Sequence, residues 1–360
     1  MSSATLRRLV AGVCVALTVS GCSALDGIRR PPPSPPVAPS SPPKVESFVP
    51  IEVLTPEVGV QGGFRLSTVQ FTDARRGAAL YTDCDTDLCS AVLVTTSDGG
   101  RSWTDRPHPR PEAPDQDLAL GRDGTIVLTC DLDAWYVSRD DGATFRRSRH
   151  RDEPPAELHT LDGPYEMDGL DLVHWADGRP TRVIQPLAGE LNAFVHRPGR
   201  DLWIAAVQDG RLLTAVSRDE GRTWTAQPVP APAVAVTSAE LLVSGDGGDV
   251  WLLGYPGAGD DFQAAWQLGA GGWNPVPADG PTRGRIYAAP LGRSLLAVSG
   301  DHVTGILAPD RGYGTVAWPA GAMRVLRDGT LLVTREPGAV FLGTGADLAR
   351  RWVKIELPGA

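Results

Sequence analysis

The chain has 360 residues, 42% of them hydrophobic, and a formal net charge of −9. This hydrophobic content suffices for a core, and an acidic chain without a basic run excludes nucleic-acid binding, which needs positive charge for the phosphates. The 41 glycines and 32 prolines favour many short strands joined by turns over long helices. We therefore expect an all-β protein.

The first 21 residues have the layout of a secretory signal peptide. A basic pair at 7–8 precedes an uncharged apolar run at 9–19, which is shorter than the roughly 20 residues that a membrane span needs. The tetrapeptide Val-Ser-Gly-Cys that ends at Cys22 resembles the bacterial lipobox. This resemblance implies cleavage before Cys22 and lipidation of its thiol, and so an anchor on the extracytoplasmic face of the membrane. An ordinary secreted protein with an unrelated cysteine is the alternative.

Residues 22–47 form the predicted linker between this anchor and the folded domain. Eight prolines within 31–43 favour polyproline II, which acts as a semi-rigid spacer. At about 3.1 Å per residue the stretch reaches roughly 40 Å. We interpret it as a stalk, with an SH3-type ligand as the alternative, and place the folded domain at 48–360.

Three cysteines remain after the signal peptide and Cys22. Cys84 and Cys89 flank a short loop that fits the tip of a hairpin, and export permits a disulfide, so we predict that they pair. Cys130 is then a buried thiol. A zinc site is the alternative, but no histidine lies at ligand spacing, and the sequence predicts neither a metal nor a cofactor.

One octapeptide recurs at 96–103, 138–145 and 217–224, with the pattern Ser/Thr-x-Asp-x-Gly-x-Ser/Thr-Trp/Phe. It resembles the Asp box, or BNR repeat, of sialidases, sortilin-type receptors and photosystem II assembly factors. The residues that carry the resemblance are Asp98, Gly100, Trp103, Asp140, Gly142, Phe145, Asp219, Gly221 and Trp224.

The motif suits a self-contained turn. Its carboxylate and hydroxyls can bond the nearby backbone, its glycine supplies an unusual backbone angle, and its aromatic ring fills apolar space. The resemblance implies that these turns lie on the outer rim of a β-propeller, between the last two strands of a blade. We therefore expect the three Asp residues to be structural and not catalytic.

The spacing of the repeats predicts the architecture. Asp98 and Asp140 are 42 residues apart, and Asp140 and Asp219 are 79 apart, about two such steps. A unit of about 40 residues fits a four-stranded propeller blade. Short hydrophobic strands recur in phase seven times, at 77–81, 124–128, 168–173, 201–204, 249–252, 293–297 and 329–333. We predict one propeller of seven four-stranded blades; the weak third repeat leaves six or eight open.

The Asp boxes require a test for sialidase chemistry, which uses three arginines, a tyrosine nucleophile and an acid. The candidates are Arg65, in a Phe-Arg pair ahead of the first box, and Arg283, Arg285 and Tyr287. They do not make a complete set. We therefore predict a binding or assembly module for a protein or glycan partner, with a sialidase-type exo-glycosidase as the alternative and a purely structural envelope protein as a third reading.

Overall fold

The computed structural model describes residues 49–359 with gaps. The segments outside the description are 61, 85–86, 132–133, 149–154, 188–190, 197–200, 245–247, 258–260, 278–286, 301, 337 and 347. The predicted signal peptide, Cys22 and the whole predicted linker therefore lie outside the described residues, and so do Arg283 and Arg285.

Seven sheets follow one another along the chain and form the blades of a propeller. The chain enters through β1 (Ile51–Leu54), which belongs to the last blade. Blade 1 contains β2 (Arg65–Phe71), β3 (Gly77–Asp83), β4 (Cys89–Thr96), β5 (Thr104–Arg106) and the short β6 (Glu112–Ala113). Blade 2 contains β7 (Gln116–Leu120), β8 (Ile126–Cys130), β9 (Trp135–Ser138) and β10 (Arg146–Arg147).

The helix α1 (Ala156–His159) precedes the third blade. Blade 3 contains β11 (Tyr165–Asp168), β12 (Asp171–Ala176) and β13 (Arg179–Arg182). Blade 4 contains β14 (Leu191–His196), β15 (Leu202–Gln208), β16 (Arg211–Ser217) and β17 (Thr225–Pro228). No helix in the described part of the chain is both long and apolar enough to span a membrane.

The last three blades complete the ring. Blade 5 contains β18 (Ser238–Val243), β19 (Val250–Tyr255), β20 (Ala264–Gly269) and β21 (Gly272–Val276). Blade 6 contains β22 (Tyr287–Gly292), β23 (Leu295–Ser299), β24 (Thr304–Ala308) and β25 (Gly312–Val316). Blade 7 contains β26 (Ala322–Val325), β27 (Leu331–Glu336), β28 (Ala339–Thr344) and β29 (Arg351–Glu356), with β1 beside β29.

This architecture confirms the predicted seven-bladed β-propeller. Each of the seven predicted hydrophobic strands lies in or overlaps the second strand of a sheet, where β3, β8 and β15 are mostly buried. Blade 3 departs from the four-stranded pattern, because its described residues form three strands. Its weak repeat signal in the sequence agrees with this departure.

Consecutive strands within a blade are antiparallel. The loop between the first two strands and the loop between the last two therefore lie on the same face of a four-stranded blade. All three octapeptides connect the third and fourth strands of their blades. We call the face that carries these loops the box face.

Apolar side chains fill the space between neighbouring blades. Between blades 4 and 5 the packed residues include Trp203, Leu252, Trp266 and Trp273, all at least nine-tenths buried. The blades are therefore held together mainly by packing of their faces, which leaves the loops free to vary.

Blade 7 closes the ring against blade 1. Strand β1 pairs in parallel with β29 as a fifth strand, and Gly359 accepts a hydrogen bond from the Leu66 amide at 2.9 Å. Ile355 of blade 7 packs in one buried cluster with Phe71 and Val94 of blade 1. Both ends of the folded domain therefore contribute to this seam.

Candidate functional site

The three octapeptides form the same hydrogen-bonded turn. In the second copy the Asp140 carboxylate accepts the Thr144 amide at 2.9 Å and the Thr144 hydroxyl at 2.6 Å, and Ser138 donates to it at 2.8 Å. The Ser138 hydroxyl also accepts the Gly142 amide at 2.9 Å. The turns around Asp98 and Asp219 repeat these bonds. Each carboxylate is therefore engaged within its own turn.

The glycine and aromatic positions complete the turn. Gly100, Gly142 and Gly221 have φ values of 84°, 80° and 84°, a region that other residues rarely adopt. The aromatic rings of Trp103 and Trp224 are half-buried, and their indole N–H groups donate to backbone carbonyls at 3.2 and 2.9 Å. Phe145 packs at the edge of the blade 1–blade 2 cluster.

These hydrogen bonds predict how the stability of the fold depends on pH. Hydrogen bonds from Thr144, and then from Ser138, lower the pKa of Asp140 from its ordinary 3.8 to about 2. The ionised carboxylate therefore stabilises the fold at neutral pH, and this contribution is lost as the pH falls from about 4 through about 2. We expect Asp140→Ala to lower the Tm at pH 7 and to have little effect near pH 2.

Thermal melts of both proteins across this pH range check the prediction. The matched control is Asp310→Ala, which removes an exposed acid that pairs only with its neighbour Arg311. A Tm loss for Asp140→Ala that persists unchanged at pH 2 would contradict the assigned contacts.

A disulfide joins Cys84 and Cys89 at the hairpin between β3 and β4. Cys130 is a buried free thiol, and burial raises its pKa to about 12. A thiol with so high a pKa is a poor nucleophile. No group of three or more His, Cys, Asp or Glu in the described residues is placed to hold a metal ion.

The two sialidase candidates that the structure describes lie on separate blades. Arg65 begins β2 of blade 1, where it is exposed, and Tyr287 begins β22 of blade 6. Blade 7 lies between these two blades. The positions of Arg283 and Arg285 are outside the description, so the proposed set of three arginines is not assembled by the residues that are described.

A tyrosine–glutamate pair occurs instead in blade 5. The Tyr255 hydroxyl donates to the Glu240 carboxylate at 2.6 Å, and Phe262 packs edge-on against the Tyr255 ring. Burial raises the pKa of Glu240, and burial together with the Glu240 charge raises the pKa of Tyr255. The two residues lie on neighbouring strands, 15 positions apart, and no sequence motif signals their contact.

A cleft of about 430 Å³ opens on the box face, where blade 7 meets blade 1. We call it the closure cleft. Two loops between first and second strands, one from each blade, supply most of its lining, and Ser97 of the first octapeptide completes it. The lining residues are Asp73, Arg75, Arg76, Ser97, Arg327 and Asp328.

The acidic residues of the cleft accept hydrogen bonds from other groups of the protein. Asp73 accepts the amides of Arg75 and Arg76 at 2.9 Å each, and the Arg327 guanidinium donates to it through two nitrogens, at 3.2 and 2.5 Å. Burial raises the pKa of Asp73, but these bonds outweigh burial and lower it overall. Asp328 accepts the Ala74 amide at 2.8 Å. The two loops are thereby locked together.

The two arginines that blade 1 contributes to the cleft differ from Arg327. The side chains of Arg75 and Arg76 are exposed, and in the described part of the chain neither guanidinium has a hydrogen-bond or ion-pair partner. Two adjacent cations thus line the cleft, in which Asp73 is paired with Arg327 and Asp328 accepts the amides of Ala74 and Thr330. The arrangement can accept an anionic group through charge-assisted hydrogen bonds.

Sequence reasoning missed this cleft, although one signal was present. The tetrapeptide Arg-Asp-Gly-Thr occurs at 122–125 and again at 327–330, each time directly before a buried second strand. In both copies the Asp accepts the amide of the Thr two residues later, at 2.9 and 3.0 Å. The repeat therefore marks a recurring turn that presents an arginine on the box face.

The comparisons with known proteins concern the fold alone. No protein family and no curated protein matches the chain. Among solved structures, "YCF48 bound to D1 peptide" is similar over 78% of this chain and 89% of that one, with 11% identity and a TM-score of 0.40. YCF48 from Cyanidioschyzon merolae is similar over 78% and 92%, with 11% identity and a TM-score of 0.29.

A third similar structure is PorZ, described as an essential bacterial surface component of the type-IX secretion system of Porphyromonas gingivalis. It is 10% identical, with a TM-score of 0.42 over 82% of this chain. The likeness spans 38% of the PorZ chain.

Proposed function

We propose that this protein is a lipid-anchored binding module of the bacterial envelope and that its closure cleft binds an acidic segment of a partner protein. The observation that carries the proposal is the pair of exposed arginines, Arg75 and Arg76, whose guanidiniums have no partner among the described residues, in a cleft of about 430 Å³. The cleft lies on loops at one face of a rigid propeller, which is where binding residues concentrate in such scaffolds.

Electrostatics favour an anionic ligand there. The chain as a whole carries a net charge of −9, so a site with two exposed guanidiniums is a local exception. Arginine binds carboxylates through two parallel hydrogen bonds, and such charge-assisted bonds are among the stronger ones in proteins. The fixed Asp73–Arg327 pair holds the loop that carries both arginines, so little ordering is needed on binding.

The proposal predicts that Arg75→Gln/Arg76→Gln weakens binding of an acidic peptide by about tenfold or more, because two charge-assisted contacts are lost. The probe is a fluorescently labelled octaglutamate peptide, capped at both ends, in an anisotropy titration. The matched control is Arg179→Gln/Arg211→Gln, which removes two exposed arginines on blades 3 and 4. Binding should also weaken as salt is raised.

Equal affinity of the two double variants would contradict the site. Polygalacturonate, added as a competitor, separates a glycan partner from a protein one, since an acidic glycan offers the same carboxylates. Preference for the polysaccharide over the peptide would move the proposal to a glycan ligand.

Lipid anchoring is a separate part of the proposal. It is supported by the lipobox-like tetrapeptide ending at Cys22 and by the proline-rich stretch that follows. A stalk of roughly 40 Å would separate the propeller from the bilayer and leave the closure cleft free to meet a partner. The membrane would then be a permanent contact of the protein through its lipid alone.

A sialidase-type glycosidase is the second candidate, and the Tyr255–Glu240 pair is the observation that favours it. Burial raises the pKa of Glu240, although the hydrogen bond from Tyr255 lowers it, and burial together with the Glu240 charge raises the pKa of Tyr255; no arginine contributes among the described residues. We therefore expect no hydrolysis of a fluorogenic sialoside by the purified protein. Hydrolysis that disappears in Tyr255→Phe, at an unchanged Tm, would instead support the enzyme.

A further inference from the structure

Beside the closure cleft, an arginine of blade 2 faces an acid of the chain itself. Arg122 lies in the turn between β7 and β8, and its Nε is 3.5 Å from the Asp162 carboxylate. The Arg122 amide also donates to the Leu161 carbonyl at 2.9 Å. Asp162 lies in the segment between α1 and β11, so this segment reaches the loops of blade 2.

A second arginine, in blade 7, reaches the neighbouring blade 1. Arg324 lies on β26, the innermost strand of its blade, and donates to the Phe71 carbonyl at 3.1 Å. Burial lowers the pKa of Arg324, the Asp162 charge raises it, and the Arg122 charge lowers it. Arg324 therefore adds positive charge to the surroundings of Arg122, while the direct contact of Asp162 is with Arg122.

Arg122 adjoins the closure cleft. The Arg327 guanidinium, which pairs with Asp73 in the cleft, also donates to the Arg122 carbonyl at 3.2 Å. The turn that holds Arg122 is thus attached directly to the cleft wall.

The contact between Asp162 and Arg122 is easily replaced. The Asp162 side chain is 87% exposed and that of Arg122 is 58% exposed. Their separation of 3.5 Å exceeds the roughly 2.8 Å of a good charge-assisted hydrogen bond. Exposed ion pairs of this kind stabilise proteins little. An external carboxylate can therefore take the place of Asp162 at small cost.

We infer that Arg122 forms a second anion-binding position next to the closure cleft, that Asp162 occupies it in the free protein, and that an acidic segment of the partner displaces Asp162 on binding. The inference rests on the proposed function of the cleft. It assigns the ligand at least two acidic groups, one for Arg75 and Arg76 and one for Arg122.

The test is the affinity of the capped octaglutamate peptide for Asp162→Asn. Removal of the internal competitor should tighten binding by roughly three- to tenfold, the effect of losing one exposed, competing ion pair. The matched control is Asp171→Asn, which removes an acid of another exposed pair, with Arg182 at 2.7 Å, and should leave the affinity unchanged. Asp162→Ser should behave like Asp162→Asn.

A combined variant separates a specific site from a general change in charge. In Arg122→Gln/Asp162→Asn the gain should disappear, because the second position has lost its arginine. A gain in peptide affinity that persists without Arg122, or no gain in Asp162→Asn, overturns the inference. Neither result contradicts the proposed function of the closure cleft. Absence of binding by every variant and by the wild type contradicts the proposed function as well.

Discussion

Replacing Trp352 by alanine is expected to lower the free energy of unfolding by about 3–5 kcal/mol, the cost of a large cavity in a packed core. The indole is 2% exposed and lies in the cluster between blades 6 and 7, 5.6 Å from the Trp318 ring. Gly343 opposes it, and a Cβ there would come within 2.9 Å of the ring. The site is thus shaped around the whole indole.

Urea unfolding of the purified domain measures this effect. In the described part of the chain the Trp352 indole N–H has no hydrogen-bond partner, so the loss reports packing alone. The matched control is Trp224→Ala, which removes a half-buried indole and should cost distinctly less. Equal losses from the two variants would contradict the assigned burial.

Replacing Cys22 by alanine is expected to release the protein from the membrane almost completely. Two or more acyl chains on one residue give stable anchoring, at about 0.8 kcal/mol per buried CH₂, and the variant would carry none. Cell fractionation with detergent partitioning measures the change, and intact-mass analysis of the wild type should show acyl groups on an N-terminal cysteine.

The matched control for this variant is Cys14→Ala, which changes a cysteine inside the apolar run of the predicted signal peptide. It should leave anchoring intact, because that residue is removed with the signal. Recovery of the wild-type protein wholly in the soluble secreted fraction would contradict lipid anchoring.

The repeats made the fold predictable from sequence. The 42-residue step between Asp98 and Asp140 is one blade, and the predicted short strands overlap second strands such as β8 and β19. These features are local, since each turn is hydrogen-bonded within eight residues and second strands such as β8 and β19 are mostly buried. Local hydrogen bonds and burial require particular residue types at fixed spacings, and this pattern can be recognised in a single sequence.

The closure of the ring left no comparable pattern. Arg327 and Asp73 are 254 positions apart, and β1 joins blade 7 across the whole length of the domain. Such contacts depend on the number of blades in the ring, and no short sequence motif specifies that number. The same holds for Tyr255 and Glu240, which meet only because their strands pair in a particular register.

Burial of the box aromatics is partial. The sequence predicts that Trp103 and Trp224 fill apolar space, and both half-buried rings pack against apolar clusters at the blade edge. The most deeply buried tryptophans are Trp251, Trp266 and Trp352. Strand position within the blade, which the motif does not encode, decides which rings are enclosed.

The most direct test of the central claim is a hydrogen-exchange footprint of the octaglutamate peptide on the wild-type protein. The account predicts slower amide exchange in the loops 72–76 and 326–330, which form the closure cleft, and unchanged exchange in blades 4 and 5. Protection confined to the opposite face, or around the Tyr255–Glu240 pair, would contradict binding at the closure cleft.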